Sequence, residues 1–167
     1  MAETGILPPQ ARVELIEGEI VDMTPIGSRH SGYTDHLCQL LFAAVKSHAI
    51  VRTQSPIHLG TFTEPQPDIA LLRPRADYYS NAHPTPADIL LIIEVADSSL
   101  DYDRGIKLPL YAQHSIPECW LADLNSRVIS RHHEPGPAGY QRAQVIQGQI
   151  ALPGLDGCSI KLPDIPT

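Results

Sequence analysis

The stretch ILLIIEV at residues 89–95 constrains the fold of this chain more than any other feature. Successive side chains of a strand point to opposite faces, so a run that is apolar on both faces needs cover on both sides. A strand of this kind belongs in the middle of a sheet with helices packed above and below it. The chain is 167 residues long and 43% apolar, enough for one such core and too apolar for a disordered segment.

The flanking patterns supply the remaining elements. Residues 12–23 read as two short β runs around Glu17 and Gly18. Tyr33, Leu37, Leu40, Leu41, Ala44 and Val45 then recur at helical spacing, with Ser28 placed to cap the helix. Residues 50–59 and 68–72 return to strand composition. Residues 73–88 are a polar loop, part of a proline-dense region that holds Pro65, Pro67, Pro74, Pro84 and Pro86. A helix is expected over 101–114, with Ile106, Leu108, Leu110 and Tyr111 inward and a kink or delay at Pro109. Strands follow at 119–124, 127–132 and 140–151. The order β-β-α-β-β-β-α-β-β-β predicts an α/β fold, a central mixed sheet flanked by helices. One domain over residues 1–167 is expected, with 1–11 an N-terminal extension and 152–167 a C-terminal tail.

Several functional classes are disfavoured. The apolar runs fall well short of the ~20 residues of a membrane helix, and no signal pattern opens the chain, so a cytoplasmic protein is expected. Cys38, Cys119 and Cys158 are scattered, without a CxxC pair, and read as reduced thiols. His132 and His133 are adjacent on a strand and face opposite sides, so they do not form a metal pair. There is no glycine-rich phosphate loop. The net charge of -7 argues against coating nucleic acid nonspecifically, yet residues 24–75 carry +2 and the rest of the chain -9.

The candidate chemistry lies at two strand ends. Asp68 begins DIALL directly after Pro67, and Glu94 stands at the far end of ILLIIEV. If these strands are neighbours, the carboxylates converge. Two such charges about 4 Å apart repel by about 4 kcal/mol at an effective dielectric near 20, a large share of the ~5–15 kcal/mol stability of a domain. A shared proton, a cationic side chain or a divalent metal would relieve it. Lys107, on the helix that leaves the second strand, can bring an ammonium to the same place. Asp, Glu and Lys around a hard, oxygen-ligated cation such as Mg²⁺ suit phosphodiester hydrolysis.

The strings Pro67-Asp68, Ile93-Glu94-Val95-Ala96-Asp97-Ser98-Ser99, Lys107-Leu108-Pro109-Leu110-Tyr111-Ala112 and Ile116-Pro117-Glu118-Cys119-Trp120-Leu121-Ala122-Asp123 occur in this order. With Glu14 to Ile20 and Gly27 to His30 upstream, the chain resembles the Uma-two family of the PD-(D/E)XK nuclease superfamily over about residues 12–132. The resemblance implies a restriction-endonuclease-like core and a Mg²⁺- or Mn²⁺-dependent endonuclease acting on DNA. It implies Asp68, Glu94 and the carbonyl of Val95 as metal ligands, Lys107 as the group that orients or activates the attacking water, and Glu19 as support from the first hairpin. His30 and Asp103 are outer candidates. One departure stands out: the superfamily lysine would fall two residues after Glu94, where this chain has Ala96. A homodimer is expected if both strands of a duplex are cut. The competing reading is a catalytically idle nuclease fold that serves in binding or assembly.

Overall fold

The computed structural model describes residues 11–166. A hairpin of β1 (Val13–Ile16) and β2 (Glu19–Asp22) comes first, closed by Glu17 and Gly18. Both turn residues have positive φ, 50° and 89°, the signature of a type I′ turn, and glycine at the second position adopts it without Cβ strain. Helix α1 (Ser28–Val45) follows, then β3 (Ile50–Thr53), β4 (Ile69–Leu72) and β5 (Ile89–Ala96). A helical segment runs through α2 (Leu100–Tyr102), a π turn (Asp103–Lys107) and α3 (Leu108–Gln113). The chain continues as β6 (Glu118–Asp123), β7 (Val128–Gly136), β8 (Gly139–Ile146), β9 (Gln149–Ala151) and β10 (Ser159–Lys161).

The sheet order is β3-β4-β5-β6-β7-β8, with β5 and β6 parallel and the other pairs antiparallel. The expected mixed sheet is therefore present, and β5 is central, buried at all of its eight residues. Leu91, Ile93 and Val95 pack toward α1, with Leu37, Leu41 and Val45 opposite them. Ile92 and Ala96 join Leu108, Leu110 and Tyr111 on the other face. Glu94, between them in the alternation, belongs to that second face. Removing one of these buried aliphatic side chains, as in Ile92→Ala, costs about 2–5 kcal/mol.

Gly27 rather than Ser28 is the N-cap of α1, with no side-chain cap, and β7 runs on to Gly136. The structure departs from the sequence reading in three further places. Ile106 is 45% exposed rather than inward. Pro109 has no N–H to give and its ring crowds the carbonyl four residues back, so the turn before it widens and Leu108 N–H bonds Asp103 O. The wide turn keeps Asp103 and Lys107 buried and turns Ile106 out. Second, β3 ends at Thr53, and residues 140–151 divide into β8 and β9. Third, the expected tail contains β10, which pairs with β9 and seats Ile160 and Leu162 in the α1-side core. Of the expected extension, residues 1–10 lie outside the described residues. No helix among the described residues is long and apolar enough to cross a membrane.

Candidate active site

The register of the two central strands builds the site. Ile69 pairs with Ile93, and one step further along the antiparallel ladder sets Asp68 against Glu94. Each carboxylate accepts a backbone N–H from the other strand: Asp68 N–H donates to Glu94 Oε2 at 3.2 Å, and Val95 N–H to Asp68 Oδ2 at 2.8 Å. This reciprocal clasp fixes both side chains at the sheet rim.

The π turn and α3 bring the third group. Lys107 Nζ lies 3.2 Å from Glu94 Oε1 and 2.8 Å from Glu14 Oε1, with its side chain only 6% exposed. The Gln66 carbonyl stands 3.4 Å away. An ammonium has three N–H donors, and these three oxygens can take them all. One helical turn on, the Tyr111 hydroxyl donates to Glu94 Oε1 at 2.5 Å. Glu14 in turn accepts the Gln66 backbone N–H at 2.7 Å, while the Gln66 side chain donates to Val13 O at 2.9 Å. The hairpin is thus tied to the segment that leads into Asp68.

Burial and charge act together here. Burial raises the Glu94 carboxyl well above its ordinary range, against the pull of the nearby Lys107 ammonium. Burial alone would lower Lys107; the carboxylates of Glu94 and Glu14 outweigh it and hold the ammonium above its usual value. Lys107 therefore keeps its proton, and Glu94 takes one more readily than an exposed glutamate does. Asp103 accepts the Ser99 hydroxyl at 2.6 Å and is raised by burial, with Lys107 opposing. His30, on the first turn of α1, places Nε2 3.1 Å from Asp68 Oδ2. Burial lowers its pKa, but the Asp68 carboxylate outweighs this and the net shift is upward. Its Nδ1 is buried without a hydrogen-bond partner among the described residues.

These groups face a cavity of about 400 Å³. Asp68, Glu94, Lys107, Glu14, His30 and Asp103 line it, together with residues 21–27, the end of β2 and the segment that leads into α1.

Four expected site residues are brought to one place: Asp68, Glu94 and Lys107 directly, and Val95 through its amide. Glu19 is not among them. It pairs with Ile16 beside the hairpin turn and is exposed, whereas Glu14, two residues further from the turn on the opposing strand, is buried and reaches Lys107. Glu14 is the hairpin carboxylate at this site. Ala96, where the superfamily pattern carries lysine, is buried in the α3-side core. The ammonium of Lys107 reaches the rim from the following helix instead. Sequence reasoning also missed Tyr111 as a site residue, although its spacing of four from Lys107 puts both on one helix face.

The donor chemistry fits a hard divalent cation. Among the described residues, no three His, Cys, Asp or Glu groups form a closed metal cage. Mg²⁺ rarely uses one; it is held by one or two carboxylates with waters filling the remaining positions. Asp68 and Glu94 at the rim of a cavity meet that need.

A mixed sheet that brings an aspartate before one strand and a glutamate in its neighbour to one rim is the arrangement expected of the restriction-endonuclease-like class, with the lysine here supplied by the following helix. The family model Uma2, described as "Putative restriction endonuclease", matches residues 2–163, and the chain belongs to this family. Among solved structures, it is similar to the crystal structure of "a putative nuclease belonging to DUF820" from Anabaena variabilis ATCC 29413. The TM-score is 0.68 at 16% identity, over 90% of this chain and 87% of that one, a likeness of fold. No curated protein matches the chain.

Proposed function

We propose that this protein is a Mg²⁺- or Mn²⁺-dependent endonuclease that hydrolyses DNA phosphodiester bonds, in the cytoplasm and as one domain. The carrying observation is the clasp of Asp68 and Glu94 beside the buried Lys107. Family membership supports the same reading. The three free cysteines suit a reducing compartment.

Asp68 and Glu94, with the Val95 carbonyl, would hold the cation. When bound, it supplies charge for the developing oxyanion and lowers the pKa of bound water. Tyr111 fixes the Glu94 carboxylate, and the Asp68–Val95 hydrogen bond fixes the other ligand. Lys107 orients the attacking water by releasing its longest contact, the Gln66 carbonyl at 3.4 Å, while Glu14 keeps the ammonium in place. His30 holds Asp68 from the α1 side. If a duplex is the target, two copies would present one site to each strand. The test is plasmid cleavage with Mg²⁺ or Mn²⁺ beside Asp68→Ala: the wild type cuts and the variant does not. Cleavage that survives the substitution overturns the assignment.

One observation favours a second reading. The three donors of Lys107 all have oxygen partners in this structure, and the cavity is rich in carboxylates. Both features suit a nuclease fold retained for binding or assembly without catalysis. Calorimetric titration with Mn²⁺ separates the two readings, since no binding at millimolar metal supports the second.

A further inference from the structure

We propose that the substrate strand enters this site unpaired, so that the protein acts on single-stranded or frayed DNA in preference to intact duplex. This rests on the nuclease reading above and names its substrate class.

The first observation is depth. The side chains of Asp68, Lys107 and Glu94 are 16%, 6% and 2% exposed, so the proposed reaction centre is recessed rather than carried on a ridge. A phosphodiester must descend to it. The cavity, about 400 Å³, lies near the lower end of the range for small-molecule pockets, roughly 300–1,000 Å³. It can take about one nucleotide and has no room for both strands of a helix.

The second observation is the composition of the wall. Val21, Met23, Pro25 and Ile26 line the same cavity as the carboxylates. Val21, Met23 and Ile26 are half-buried, which leaves apolar surface open to the cavity. An exposed base has an apolar face to set against such a wall, and a base stacked within a duplex does not.

The third observation is charge. Asp22, Asp97 and Asp101 also line the cavity, and among the described lining residues only Arg12 and the buried Lys107 are Lys or Arg. A duplex carries one phosphate charge per about 1.7 Å of axis and relies on Lys and Arg to hold both strands. This opening offers little to a second strand and repels it with carboxylates. A single strand brings fewer charges and can turn its base inward, without the few kcal/mol of unpairing that a duplex must spend. One site suffices for one strand, so no second copy is needed for the cut.

The test measures fluorescence anisotropy of a labelled 20-nucleotide DNA, alone and annealed to its complement, on the full chain with Ca²⁺ in place of Mg²⁺. The single strand should bind at least tenfold more tightly. Equal or tighter duplex binding overturns the proposal, as does binding of neither form. Ile26→Asp should weaken single-strand binding about tenfold while leaving the melting temperature near wild type; unchanged affinity overturns the placement of the base. Cleavage of both forms is then assayed with Mn²⁺. If neither is cut while the binding preference stands, the nuclease reading fails and the strand preference survives. If both are cut at equal rates, the nuclease reading stands and this inference falls.

Discussion

Lys107 Nζ lies 2.8 Å from Glu14 Oε1, across a contact that joins the first hairpin to the helix after the central strand. The two residues are far apart in sequence and both are buried, 5% and 3% exposed. Burying an ion pair is costly, and breaking one by removing a single partner costs more than leaving it intact. The contact therefore couples the assembly of the site to the docking of the hairpin.

Lys107→Met should lower stability by about 3–5 kcal/mol, because Glu14 and Glu94 would remain buried without their cation. Urea denaturation at neutral pH measures it. Glu14→Gln leaves Lys107 its contact with Glu94 and should cost less, about 1–3 kcal/mol. Equal losses for the two variants would mean that the hairpin contact alone holds the ammonium.

Tyr111→Phe removes only the hydroxyl that meets Glu94 Oε1. The ring is fully buried and stays filled, so the fold should persist with a loss of about 1 kcal/mol. Metal affinity should fall roughly 10–100-fold, the usual cost of losing a group that orients a ligand. Calorimetry with Mn²⁺ checks it, with thermal melting as the control.

Asp123 gives the pH dependence. Its Oδ1 accepts the Asn125 and Ser126 N–H groups at 2.9 and 3.1 Å, and its Oδ2 the Ser126 hydroxyl at 2.6 Å. Burial raises its pKa, but these hydrogen bonds outweigh that and hold it below the ordinary carboxylate value. A carboxyl depressed in the folded state stabilises above its unfolded pKa, about 3.9, and the contribution is lost as pH falls through the lower folded value. Asp123→Ala should thus cost about 1–2 kcal/mol at pH 7 and progressively less below about pH 4. Denaturation curves at pH 7 and pH 3 measure the difference.

The legible parts of this fold are those written in local pattern. Residues 89–95 announce a central strand because the run is apolar on both faces, and that strand delivers Glu94 to the rim. Asp68 is legible because Pro67 marks the strand start. Lys107 is legible as lying on the following helix, though only the π turn before Pro109 explains why it is buried while Ile106 is not. Glu14 was not legible as the site carboxylate. Glu14, Glu17 and Glu19 look alike along the hairpin, and what separates them is a distant partner, the Gln66–Lys107 side of the cavity. The short β10 was hidden for a similar reason: three residues carry little period of their own, and pairing with β9 defines them.

Whether Asp68 and Glu94 together hold a divalent cation is decided by calorimetric titration with Mn²⁺ on the wild type and Asp68→Ala. The wild type should bind saturably and the variant not at all at the same concentrations, with both proteins folded. Equal binding by the two, or no binding by the wild type at millimolar Mn²⁺, would contradict metal binding by this pair.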